Sequence, residues 1–205
     1  MIARLAIATL LAALCGSARA GVEYRFTGEL IQDPRTGFTV IGEKKDGIVA
    51  VTSARHHYSL VLPWGDDWKL TADEDGALLK GTSGLVNLTL SVAESDEPPE
   101  RFLRSLQARL KDSGQLKGVE KSEVVTFRKE PVLRILVDAE AASGRREFRG
   151  VKMVHVHAAE RVGNVVYLLH LSRVIPAEEA RAFDDKLLLS FATVGFRADF
   201  MREPK

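Results

Sequence analysis

Val86-Asn87-Leu88-Thr89-Leu90-Ser91-Val92 alternates apolar and polar side chains without a break, and shortly afterwards Phe102, Leu103, Leu106 and Leu110 recur at helical spacing. The first run has the period of a strand and puts its four apolar side chains on one face of a half-buried sheet. The second has the period of an amphipathic helix. Ser95 or Asp96 offers the cap, Pro98 and Pro99 suit the first turn, and Gly114 stops it. A chain that changes period this abruptly builds a sheet and lays a helix on it.

The pattern extends both ways from there. Towards the N-terminus, Val22, Tyr24 and Phe26 alternate with Glu23 and Arg25, Phe38 to Glu43 and Ile48 to Ser53 flank an Asp46-Gly47 turn, and residues 56 to 62 form a strand ended by Pro63 and Gly65. Towards the C-terminus, strands are expected at 123–128, 132–139, 146–160 and 165–174. The links through Lys129-Glu130-Pro131, around Ser143-Gly144, and through Gly163-Asn164 are short, so neighbouring strands are antiparallel. A last helix opens at Pro176, carries Glu178 and Glu179 in its first turn, and turns Ala180, Phe183, Leu187 and Phe191 inward. The fold class is α+β, an antiparallel sheet with two main helices packed on it. Residues 21–55 read as an N-terminal strand and hairpin segment, 56–196 as one α+β domain, and 197–205 as a polar, fraying tail.

Of 205 residues, 45% are apolar and 28% charged, the composition of an ordinary globular protein. Twenty-nine basic against 28 acidic side chains give a formal charge of +1, too little to hold nucleic acid or an anionic membrane. The first 20 residues change even that balance. Arg4, the apolar run Leu5 to Leu14 and the small residues Ala18 and Ala20 have the layout of a secretory signal peptide cleaved after Ala20. Its removal takes Arg4 and Arg19, leaving 27 basic against 28 acidic side chains over 185 residues, a charge of −1. The apolar run is too short to cross a bilayer, and no later stretch is long enough. Cys15 is preceded directly by the bulky Leu14, where a lipid-bearing cysteine signal takes a small residue, so a lipid anchor is not expected. The mature chain then enters the periplasm or the exterior with no thiol, and its core must hold it without disulfides.

The strand running into Leu62-Pro63-Trp64 with Trp68 close behind, the alternating strand 86–92 leading into a proline-opened helix, and a four-strand meander closed by an amphipathic helix together resemble the PsbP-like family of small secreted and envelope proteins. The resemblance covers roughly residues 56–192 and lies in pattern. It implies a sandwich fold and a binding or assembly role, and brings no catalytic motif with it.

No nucleophile elbow, His-Glu-x-x-His or phosphate-binding glycine loop occurs. Asp73-Glu74-Asp75-Gly76 has the carboxylates of a calcium loop, but its glycine comes too early and the closing glutamate is missing, so it reads as a solvated turn. Asn87-Leu88-Thr89 fits a glycosylation acceptor but lies mid-strand, as a half-buried polar pair.

The histidines carry more information. His155 and His157 share one face of their strand with Met153. A two-residue loop at Gly163-Asn164 places His157 opposite His170, and all three imidazoles then form one patch; a three-residue loop would send His170 to the other face. Three imidazoles suit zinc with a water, or copper if Met153 joins; they equally suit a pH-sensitive or ligand-lining patch, or a purely structural one. His56 and His57 are adjacent and point apart in a strand, Trp64 and Trp68 are core anchors or pocket walls, and Tyr167 is a core residue. Arg145, Arg146, Arg149 and Lys152, with Arg128 and Lys129 nearby, make a basic stretch that an acidic partner could meet.

The expected function is a periplasmic or secreted non-enzymatic binding or assembly module for an envelope protein or small ligand. Metal handling through His155, His157 and His170 is the alternative, and an enzyme of unrecognised class a further one. N-terminal sequencing of the exported protein should begin at Gly21; an intact leader would contradict the cleavage reading.

Overall fold

The computed structural model describes residues 22–25, 30–43, 48–62, 68–83, 86–114, 117–180 and 195–198. The leader, the Asp46-Gly47 turn, Trp64, and Phe183, Leu187 and Phe191 of the last expected helix lie outside these. Thirteen strands are seen among the described residues, so antiparallel sheet dominates and the class is α+β. One long helix, α1 (Pro99–Asp112), is joined by the short helices α2 (Ala139–Ser143) and α3 (Ala177–Ala180). The chain divides into two compact units.

The first unit contains residues 1–96, 160–167 and 193–205. In it, β1 (Val22–Arg25), β6 (Lys69–Ala72), β7 (Leu78–Ser83) and β8 (Val86–Glu94) form an antiparallel run in the order β1-β6-β7-β8. A second sheet has the order β13-β5-β4-β3-β2, from β2 (Ile31–Asp33), β3 (Phe38–Glu43), β4 (Ile48–Ser53), β5 (Tyr58–Leu62) and β13 (Gly195–Ala198). The β3 and β4 strands pair as their alternation predicts, Phe38 against Ser53 and Val40 against Val51. Residues 195–198, expected partly in a fraying tail, instead pair with β5, Ala198 against Tyr58. The pairing gives this segment backbone partners that water would otherwise supply.

Aromatic rings fill this unit. Tyr24 meets Phe38 at 5.9 Å between centroids, Phe38 meets Tyr58 at 6.1 Å, and Tyr58 reaches Tyr167 at 6.3 Å in an edge-on contact. At one end the Tyr24 hydroxyl lies 2.7 Å from Thr36 Oγ1 and donates to Asp33 Oδ2 at 3.2 Å. Burial would raise the Asp33 carboxyl, but hydrogen bonds from Arg35 and Tyr24 hold it below its ordinary range. Gly81 is required by close approach: a Cβ there would come within 2.7 Å of Leu70 Cδ2 and 3.1 Å of the Trp68 ring.

The second unit, residues 97–159 and 168–192, carries α1 and the order β12-β11-β10-β9, from β9 (Val119–Phe127), β10 (Glu130–Asp138), β11 (Val151–Val162) and β12 (Val165–Pro176). The α1 helix buries Phe102, Leu103, Leu106 and Leu110, the stripe its period predicts. Its cap differs from expectation: Pro98 takes the N-cap position, with no side-chain hydrogen bond, because the two prolines start the helix later than Ser95 or Asp96 would. The strand expected from 146 begins at Val151, since Asp138 accepts from Ala141 N at 2.8 Å and nucleates α2, with a 3-10 turn at Arg146–Phe148 behind it. Pro176, expected to open the last helix, ends β12.

The β9–β10 turn falls at Arg128-Lys129 rather than Lys129-Glu130-Pro131, for Glu130 pairs directly with Phe127. Both turn residues take positive φ, 50° and 73°. Such a two-residue turn suits Asn-Gly, and side chains bearing a Cβ are strained there. Replacing Arg128 by Asn and Lys129 by Gly should therefore add about 1 kcal/mol of stability. A raised urea midpoint at constant slope would show it; an unchanged or lower midpoint would contradict the strain.

Candidate functional site

Two features of the second unit bear on function, a buried histidine cluster and an open cleft. The cluster begins with register. Gly163 takes a φ of +63° in a two-residue turn, so β11 and β12 return face to face. His157 and His170 stack with ring centroids 4.3 Å apart and planes within 8°. His155 lies diagonally beyond, its Nδ1 3.0 Å from His170 Nε2, with centroids 5.3 Å apart. One of these two rings donates and the other accepts, so the pair shares a proton while both stay neutral. His157 Nδ1 is buried without a hydrogen-bond partner.

The histidine face is covered. His157 is paired with Leu133 and His155 with Ile135 on β10, and Ile135 is paired in turn with Ser122 on β9. Side chains of directly paired residues share a face. Gln107 of α1 donates to Ser122 Oγ at 3.1 Å, which places the helix on this side of the sheet over β9 and β10. His155 and His157 are only 8% and 3% exposed. Burial alone lowers His155 to about 4. His170 falls to about 3, first through burial and then through repulsion from His155, and His157 is pushed well below its ordinary value by burial and by both neighbours.

For a metal, donor lone pairs must converge on one point at about 2.0–2.1 Å. Parallel stacked planes do not converge, and the shortest contact already holds a proton. Among the described residues no group of three or more His, Cys, Asp or Glu side chains is arranged to hold a metal ion. As placed, the three rings are held uncharged near neutral pH by burial.

The cleft was not anticipated from the sequence. It is about 540 Å³ in volume and opens between α1 and β9. Arg104, Gln107, Ala108 and Lys111 line the helix side, Val119 and Ser122 the strand side. Leu110 and Ile135, both buried, make its floor. The helix residues were legible as a stripe, since 104, 107, 108 and 111 follow i, i+3, i+4, i+7 beside the buried one. Their strand partner could not be found without the sheet order.

The remaining candidates have structural work. His56 and His57 lie in the turn between β4 and β5, not in a strand: His56 Nε2 is 2.8 Å from the Asp75 carbonyl oxygen, and His57 takes a φ of 53°. Asp73 and Asp75 accept from the backbone of Leu78 and Ala77 at 2.9 and 3.0 Å, so their carboxylates hold a turn. Tyr167 is buried and donates to the His56 carbonyl at 2.9 Å. Trp68 is a core anchor, 2% exposed. Three of the four cations of the basic stretch are paired locally: Arg145 with Glu147, Arg149 with Glu140, and Lys152 with Glu120 and Asp138 at 2.5 and 2.7 Å. Arg128 and Lys129 are not near it, since Lys152 pairs with Asp138 at the other end of β10.

The buried imidazoles give stability a pH dependence of definite sign. Above their unfolded value near 6.5 the rings are neutral folded or unfolded, and contribute none. As pH falls below 6.5 the unfolded chain gains protons that the fold refuses until about 4 at His155 and about 3 at His170, so stability is lost across that window. For His155 alone the loss approaches about 3 kcal/mol near pH 4. The urea midpoint should fall over this range, and fall less in His157→Leu, whose removed Nδ1 had no partner. Equal acid sensitivity in both proteins would contradict this assignment.

No family model and no curated relative matches the sequence. Among solved structures, the chain is similar to the solution structure of cyanobacterial PsbP (CyanoP) from Synechocystis sp. PCC 6803, at 10% identity over 75% of this chain and 93% of that one, with a TM-score of 0.44. The likeness to PsbP is one of fold.

Proposed function

We propose that the chain is a secreted or periplasmic, non-enzymatic binding module whose recognition surface is the cleft between α1 and β9. One observation carries the reading: a concave site of about 540 Å³ sets a buried apolar floor beneath two exposed cations, Arg104 and Lys111. An apolar floor with a few placed polar groups at its rim is the general form of a ligand or partner site. The leader supports the compartment, and Ile135 of the floor is paired with the buried His155 behind it.

A photoreactive side chain at Ala108, which lines the cleft and is exposed, in the protein exported by its native cell, should trap a discrete adduct. The same group at Glu147, which is exposed on the 3-10 turn, should not. Indistinguishable patterns at the two positions, or no adduct at Ala108, would overturn the assignment of the cleft.

A further inference from the structure

The cleft lies beside the outer edge of a strand, and the pairing shows which backbone groups that edge presents. In the order β12-β11-β10-β9, β9 is terminal, with no strand on its outer side among the described residues. Phe127 and Glu130 close the two-residue turn, so they form a pair that exchanges hydrogen bonds, and bonded and non-bonded pairs alternate from there. The next pair is Thr126 with Pro131, and proline has no N–H to give; it fits only the non-bonded position. Val124 with Leu133 and Ser122 with Ile135 follow in the same class. The N–H and C=O of Ser122, Val124 and Thr126 therefore point outward, along the free edge. Ser122 is also a wall of the cleft, so the open backbone and the cleft form one surface.

We propose that this surface takes an extended acidic segment of a partner protein as an added antiparallel strand on β9, its carboxylates meeting Arg104 and Lys111. The proposal rests on the binding reading above and names its ligand class. A helix alongside a sheet edge is the geometry in which main-chain hydrogen bonds supply affinity and alternate side chains supply selectivity. Charge selects the occupant: the side chains lining the cleft include two cations and no acid. Arg104 pairs with Glu100 at 2.8 Å, but both are about 60% exposed, and such a helical surface pair is worth only about 0.3–0.5 kcal/mol, so a bound carboxylate can replace it. Lys111 is exposed and has no ion-pair partner among the described residues. A second copy of this chain pairing through β9 fits less well. On the cleft face its edge would offer Ser122, Val124 and Thr126, all uncharged, leaving both cations unanswered.

The test uses the mature chain and three fluorescein-labelled peptides of about eight residues, long enough to form one strand. The first alternates valine and glutamate, the second carries lysine for glutamate, and the third is the first with alternate amides N-methylated. Anisotropy should show binding of the first, weakened by salt, and at least about tenfold weaker binding of the other two. Lys111→Glu should weaken the acidic peptide by about tenfold and narrow its advantage over the lysine peptide. Amide exchange should slow at Ser122, Val124 and Thr126 on binding. Equal affinity for the acidic and lysine peptides, indifference to N-methylation, slowed exchange confined elsewhere, or dimerisation through β9 without peptide binding would each overturn strand addition. The Ala108 cross-link, which leaves both cations in place, decides the broader binding reading independently, so the two failures are distinguishable.

Discussion

A slip of one residue at Gly163-Asn164 would turn every side chain of one arm of the β11–β12 hairpin to the opposite face. The two-residue turn, with Gly163 in the left-handed region, prevents this, and the architecture of the second unit follows from it. It sets His157 against His170, and it leaves Val154, Val156, Leu169 and Leu171 buried on the other face. Each large apolar side chain so buried contributes about 1.5–3 kcal/mol, so a shifted register forfeits several at once. The pairing of β10 with β11 then carries the same faces outward, Leu133 beside His157 and Ile135 beside His155, to the surface on which α1 rests.

Three imidazoles packed against one another are a costly choice that chemistry moderates. A buried lysine or carboxylate would hold a charge there or shift far to lose it, whereas histidine is neutral at physiological pH with little persuasion. His155 and His170 satisfy one another, and stacking brings His157 into van der Waals contact with His170. The unpartnered His157 Nδ1 is the residual cost. The charged groups of this unit are sorted differently: Arg134, Glu123 and Lys121 form their ion pairs on the face away from α1, where Glu123 and Lys121 keep part of their surface in water.

The cleft is a consequence of the same geometry. A helix buries one stripe, and where it overhangs the last strand of a sheet the adjoining stripe has nothing to pack on. Here that stripe is Arg104, Gln107, Ala108 and Lys111, and the Gln107 to Ser122 hydrogen bond crosses the gap. An edge strand is a hazard that proteins usually blunt with charge. β9 carries Lys121 and Glu123 on its far face, while the cleft side keeps Ser122 and Val124, so the edge is guarded on one face and accessible on the other.

Much of the framework was legible residue by residue. Perfect alternation located β8, helical recurrence located α1 down to its four buried residues, and turn chemistry located the Gly163-Asn164 hairpin. Strands β2, β6 and β7 were missed because they are short or polar on one side and take their stability from neighbours. The Arg128-Lys129 turn was missed because neither residue advertises the left-handed backbone it adopts. The sequence by itself determined the local periods, the likeness to PsbP-like folds and, conditional on one turn, the meeting of three histidines. Only the tertiary structure decided that those histidines are packed away from solvent, that β9 is a sheet edge, and that Arg104 and Lys111 line a cleft beside it. Periods are written in neighbouring residues, but strand order and burial are set by pairings between segments far apart in the chain, which no local pattern encodes.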